Sequence, residues 1–203
     1  FLFYFSVRIT PDALPLAVLL SSIMTFGNLG QNNELVAIFG NFINRSVVLT
    51  NKYWNGIVPQ INELEEYDEE VLKKMKEFPD KIGVSIEKFR FREALQELIN
   101  LARLGNKYLA DTEPWKKKKT NEKRTETIMY VSLQIAACLS ILSHPFLPFT
   151  SKKLKNMLNL NQLNWDDAKK YNLPSGSQIN ESKLLFNKIE DEQINNQIAK
   201  LKS

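Results

Sequence analysis

One cysteine and one histidine occur in 203 residues, alongside 7 glycines and 8 prolines. Each shortage removes a class of chemistry. Cys138 and His144 cannot supply the four ligands of a structural zinc site. No disulfide can close within the chain, which points to a reducing compartment and a cytoplasmic setting. Cys138 lies in the apolar run Ile135-Ala136-Ala137-Cys138-Leu139, where a small buried hydrophobe is expected. Few glycines and prolines argue against a turn-rich all-β fold and for long helices. Neither a Walker-type phosphate loop nor a G-x-G-x-x-G run is present. A hydrolase triad would have to use His144, which sits beside Pro145 with no nucleophile signature nearby. The apolar stretches at the start of the chain are interrupted. Residues 1–5 and 13–20 are apolar but separated by Arg8, Pro11 and Asp12, with Pro15 interrupting the second. A membrane helix needs about 20 continuous apolar residues, and no basic stretch precedes these as in a signal peptide. Neither membrane insertion nor catalysis is expected of this chain.

What is present is an ordinary globular composition, 43% hydrophobic and 25% charged, with a net charge of +4. Lys116, Lys117, Lys118 and Lys119 form a run with Lys123 and Arg124 close behind. Taken alone, such a run is most often a solvated face.

Periodicity predicts a helix over residues 33–54, with Leu35, Ile38, Phe39, Phe42, Leu49 and Tyr53 on one apolar stripe. At 100° per residue, Asn41, Arg45, Val48 and Lys52 share a flank beside it. A second helix over 62–78 carries Leu64, Tyr67, Val71, Met75 and Phe78 inward and its carboxylates outward. Pro79, Asp80 and Gly83 predict a loop, and a third helix over 86–110 points Phe89, Leu95, Leu98, Ala102 and Leu109 inward. Pro114 ends it and leaves Trp115 at a junction. A fourth helix over 123–143 turns Ile128, Val131, Ile135, Leu139 and Leu142 inward, and a short fifth covers 151–158. Alternation over 183–189 predicts a short strand. The fold class is therefore all-α, an antiparallel bundle of four to five helices with a short strand-like segment near the C-terminus. The expected division is an irregular apolar remnant over 1–31, the bundle over 32–160, and a loop, strand and linker over 161–203.

Four ordered motifs add a resemblance. N-N-E-L-V-A-I-F-G-N-F-I-N-R, from Asn32 to Arg45, resembles the first helix of the anticodon-binding domain of methionine–tRNA ligases. N-K-Y-L-A-D-T-E-P-W-K, from Asn106 to Lys116, is similar to that family's N-x-Y-x-x-x-x-x-P-W segment. Pro145-Phe146-Leu147-Pro148-Phe149 is similar to the turn after its fourth long helix. Pro174-Ser175-Gly176, followed by L-L-F-N-K-I-E from Leu184, resembles the segment leaving the domain. The likeness covers about residues 32–192, while residues 15–30 do not follow the family pattern.

The resemblance implies recognition of the CAU anticodon of methionine tRNA by Asn41, Arg45 and Trp115. The residue types suit that role. Asn41 and Arg45 lie four apart and share a helix face. Asn offers a donor and an acceptor to a base edge, and Arg a fork of donors. Trp115 offers a stacking surface for an unstacked loop base. Lys52 and the run Lys116, Lys117, Lys118 and Lys119 would attract backbone phosphates. The resemblance also implies a catalytic domain as partner, which would use ATP and carry a zinc-binding insertion. Its H-I-G-H and K-M-S-K-S type signatures are absent here, so the chain alone is expected to hold no cofactor and to be inactive. Two alternatives remain open: a helical protein-interaction scaffold without RNA binding, and the anticodon domain of another class I synthetase.

Overall fold

The structure, a computed structural model, describes residues 35–161 and 163–186. A π-helical turn, Leu35–Gly40, leads into α1 (Asn41–Trp54). Then follow α2 (Glu66–Glu87), α3 (Phe91–Thr112), the one-turn α4 (Pro114–Lys117), α5 (Glu122–Leu142) and α6 (Pro148–Met157). A 3₁₀ turn, Trp165–Lys169, lies in the segment that returns over the bundle.

α5 is the axis. The sequence suggested one inward stripe on this helix, but residues from Arg124 to Leu142 are buried almost without a break. Every other described α-helix packs on it, as does the 3₁₀ turn. By length and composition α5 is the one described helix apolar enough to cross a membrane, yet its surface is enclosed by protein, as in a core helix.

A helix without a solvent side must satisfy its polar groups internally. Asn121 caps it by accepting from the Arg124 N–H (3.0 Å). Ser132 and Ser140 donate back to carbonyls of their own helix (2.8 and 2.7 Å). Gln134 donates to Leu173 O (2.7 Å) and accepts from Leu173 N (3.2 Å), so an amide side chain anchors the returning segment.

Further sequence expectations need correction. First, the buried face of α1 is Phe42, Ile43, Ser46, Val47 and Thr50, with Leu49 and Tyr53 at its edge. Ser46 and Thr50 face inward because each hydroxyl donates to the carbonyl four residues back (3.0 and 2.8 Å). The face carrying Asn41, Arg45, Val48 and Lys52 thus looks away from the core, and all four are exposed. Second, α2 runs through Pro79 and Gly83 to Glu87. Interior proline costs a helix about 3 kcal/mol, but Phe78, Pro79, Ile82 and Ser85 are buried, so packing outweighs that cost. Third, Phe89 is 81% exposed and turns the chain at φ +58, between α2 and α3. Fourth, residues 183–186 form no strand and pair with no strand among the described residues. Alternation does persist in burial, since Leu184 is 72% exposed and Leu185 8%. Residues 187–189 lie outside the described residues, as do 1–31.

The returning segment closes against the end of α1. Ile57 bridges antiparallel to Gln178, Val58 N–H donates to Ser177 O (2.8 Å), and Gly176 N–H donates to Val58 O (2.9 Å). Gly176 takes φ +83 to make this turn.

α2, α3 and α5 are tied by one buried carboxylate, also unforeseen, since the carboxylates of α2 were expected outside. Asp68 is fully buried. It accepts from Tyr108 (2.6 Å), from both terminal nitrogens of Arg124 (2.6 and 2.9 Å) and from the Glu65 N–H (2.9 Å). Burial alone would raise this carboxyl, but the hydrogen bonds from Arg124 and Tyr108 outweigh it and hold the pKa below its ordinary value. Burial and Asp68 together push the Tyr108 phenol far up, so it stays a donor.

Replacing Asp68 by Ala removes the buried partner of both Arg124 terminal nitrogens, leaving only the more exposed Glu65 beside its Nε (2.9 Å), and should cost about 3–5 kcal/mol in urea unfolding. Acid behaviour tests the same contact. Folding lowers the Asp68 pKa, so its contribution is full above about pH 4 and declines as pH falls through the lower folded value. Asp68→Asn should flatten that part of the stability–pH curve. An unchanged acid slope would rule this account out.

Candidate functional site

The outward face of α1 meets α4 at one point. The Arg45 guanidinium carbon stands 5.8 Å from the centre of the Trp115 ring. Trp115 is 38% exposed, so part of its ring remains open to solvent. Asn41, one turn back from Arg45, is exposed on the same face. The structure therefore brings the three residues singled out from the sequence onto one surface.

Local chemistry explains the position of Trp115. α3 ends where Glu113 turns left-handed (φ +44) and its N–H donates to Leu109 O (3.0 Å). Pro114 then starts α4 at the position where a missing N–H is harmless. α3 in turn is held tightly to α1. A Cβ on Gly105 would fall 2.4 Å from the Phe42 ring, so only glycine permits this approach. Asn106 donates from α3 to Ile38 O (2.7 Å), a carbonyl of the π-helical turn. Each specified residue of the N-x-Y-x-x-x-x-x-P-W run has a job: Asn106 holds the start of α1, Tyr108 binds Asp68, Pro114 sets the turn, and Trp115 meets Arg45.

The lysines divide into two groups. Lys116 pairs with Glu113 (2.7 Å). Lys118 pairs with Glu122 and lies over the rings of Trp54 (4.4 Å) and Tyr53 (5.9 Å). Lys52 also sits over Tyr53 (5.7 Å), so that ring joins the two basic stretches, a proximity not visible from spacing along the chain. Lys52, Lys117 and Lys119 have no carboxylate partner among the described residues, and Lys52 and Lys119 are exposed. Lys118 is mainly a brace between the end of α1 and the α4–α5 corner.

Elsewhere, Cys138 is fully buried, and burial raises its thiol pKa. Burial, with Lys155 nearby, lowers the pKa of His144. Among the described residues no group of three or more His, Cys, Asp or Glu could hold a metal ion.

A family model described as the anticodon binding domain of methionyl tRNA ligase matches residues 58–203. The chain belongs to that family. A methionine–tRNA ligase of Christiangramia forsetii is 59% identical over 181 residues, which is 85% of this chain and 26% of the relative. That of Cytophaga hutchinsonii is 55% identical over 172 residues, 84% of this chain and 25% of the relative. The chain thus spans about a quarter of the length of the curated relatives it matches. The methionyl-tRNA synthetase of Mycobacterium tuberculosis in its free state superposes with a TM-score of 0.74 at 21% identity, over 78% of this chain and 33% of that one. Its complex with methionyl-adenylate gives 0.72 at 22% identity, over 83% and 33%. At those identities the likeness is one of fold. Residues 1–40 separately match a model described as lipopolysaccharide export system permease LptF/LptG.

The α1–α3 contact fixes the candidate face against α4, and Gly105→Ala tests that contact. Alanine favours helix by about 1 kcal/mol, but overpacking a closed core costs about 1–3 kcal/mol. With Phe42 fully buried, the ring has no free space to retreat into. Net destabilisation is expected by urea unfolding, and a more stable variant would show that the ring can move aside.

Proposed function

We propose that this chain reads the CAU anticodon of methionine tRNA through Asn41, Arg45 and Trp115. The observation that carries the reading is the Arg45–Trp115 pairing, 5.8 Å apart on the face of α1 turned away from the core. An exposed indole provides a platform for an unstacked base, and the adjacent Asn and Arg provide donors and an acceptor for base edges. Lys52, Lys117 and Lys119 attract the loop phosphates and make binding salt-dependent. ATP-dependent attachment of methionine belongs to the remaining part of the longer relatives, together with any zinc. In that setting the partners are methionine tRNA and the catalytic domain, in the cytoplasm.

Filter binding with a CAU anticodon stem-loop and with altered anticodons tests this directly. Trp115→Ala should weaken the CAU complex by about 1–3 kcal/mol, the worth of one stacked base. Equal binding to all loops, or no effect of Trp115→Ala, would remove the reading. Lys118 gives a finer test, because its charge is engaged internally. Lys118→Met should lower affinity while leaving the slope of log K against log salt unchanged, with Lys118→Arg restoring binding. A direct phosphate contact would instead reduce the slope by about 0.7–0.9.

A further inference from the structure

The returning segment does more than close the bundle. From Gln178 it runs back along α1, from the C-terminal end of that helix to its start. Gln178 donates to Asn55 O (2.9 Å), and Ile179 N–H donates to Gly56 O (2.7 Å). Asn51 donates to Asn180 O (3.2 Å), and Ser182 Oγ lies 3.0 Å from Asn44 Oδ1. Finally the Phe186 ring meets Phe39 edge-on, with centroids 6.0 Å apart. The strap therefore ends beside Asn41, where Gly40, Asn41, Asn44, Lys183 and Leu184 line a common groove.

Its end is held firmly and presents two side chains outward. Leu185 is buried and Phe186 packs on the core, so alternation forces Leu184 into solvent. An aliphatic side chain 72% exposed, next to an exposed lysine, borders the groove on the side of Asn44. Arg45 and Trp115 border the face of Asn41 on the other side. Asn41 thus lines the groove beside the strap, and Arg45, four residues on along the same helix face, meets Trp115.

We propose that Lys183 and Leu184 form the second wall of the RNA-reading face, an inference that rests on the anticodon reading above. Leu184 packs against the face or ribose of a splayed loop nucleotide, and Lys183 neutralises a neighbouring phosphate. The occupant is the RNA loop, because the groove is continuous with Asn41 and carries a cation at its rim.

The test uses the full chain and the CAU stem-loop, with Trp115→Ala measured beside Lys183→Gln and Leu184→Ala. Lys183→Gln should weaken binding several-fold and reduce the salt slope by about 0.7–0.9. Leu184→Ala should weaken binding about fivefold with the slope unchanged. Both residues are exposed, so both variants should melt as the unaltered chain does. If both bind normally while Trp115→Ala is impaired, the strap is no part of the surface and the inference falls alone. If Trp115→Ala also binds normally, the anticodon reading falls, and the inference with it. A Lys183→Gln variant that loses affinity at an unchanged slope would overturn the phosphate contact.

Discussion

A helix with no solvent-facing side is the constraint on which the rest of the structure depends. Because α5 is enclosed by the other described α-helices and the 3₁₀ turn, each neighbour must present an apolar or complementary face to it. The polar residues of α5 decide where the neighbours can sit. Arg124 requires a buried acid and finds Asp68 on α2, with Tyr108 of α3 completing the carboxylate's partners. Gln134 requires a donor and an acceptor and finds both in the backbone of Leu173. A buried, fully bonded polar group is of modest net value, but an incompletely bonded one is costly, so these contacts select one arrangement against others.

The candidate functional face follows from that arrangement. α3 is fixed at Tyr108 by Asp68, and three residues earlier Gly105 lets Phe42 of α1 approach. The same helix therefore reports the position of α5 to α1 and, five residues past Tyr108, begins the turn that delivers Trp115. Arg45 lies three residues beyond Phe42 on α1, about 60° round the helix toward its exposed face. The pairing of Arg45 with Trp115 is thus set by core contacts that neither residue makes.

Much of this was legible in the sequence, and the exceptions share a cause. The helix run, the junction at Trp115 and the common face of Asn41 and Arg45 follow from spacing and from proline. The inward Ser46 and Thr50 were not legible, because a hydropathy pattern counts them as polar while their hydroxyls bond to their own helix. Pro79 was read as a breaker because local propensity outweighs packing only until the packing is known. Asp68 stood among other acids of α2 and nothing nearby marked it as the buried one, since its partners are 40 and 56 residues away. The path of the strap back to Asn41 was hidden for the same reason: Ser182 and Asn44 are 138 residues apart. Local patterns locate elements, whereas these contacts are properties of the assembled core.

The pairing of Arg45 with Trp115 also has a consequence for binding by the proposed route. An exposed cation–π contact is worth about 0.5–1 kcal/mol, whereas a base stacked on an aromatic ring is worth about 1–3 kcal/mol. A loop base can therefore displace the guanidinium from the indole at a net gain. The displaced arginine keeps its five donors and moves, still attached to a rigid helix, to the edge of the incoming base or to a phosphate. Until then the guanidinium shields part of the indole from water and holds it in a stacking orientation. Pre-ordering of this kind lowers the cost of fixing side chains on binding. On the proposed reading, the contact between Arg45 and Trp115 is the resting state of a surface whose two members separate when a base arrives.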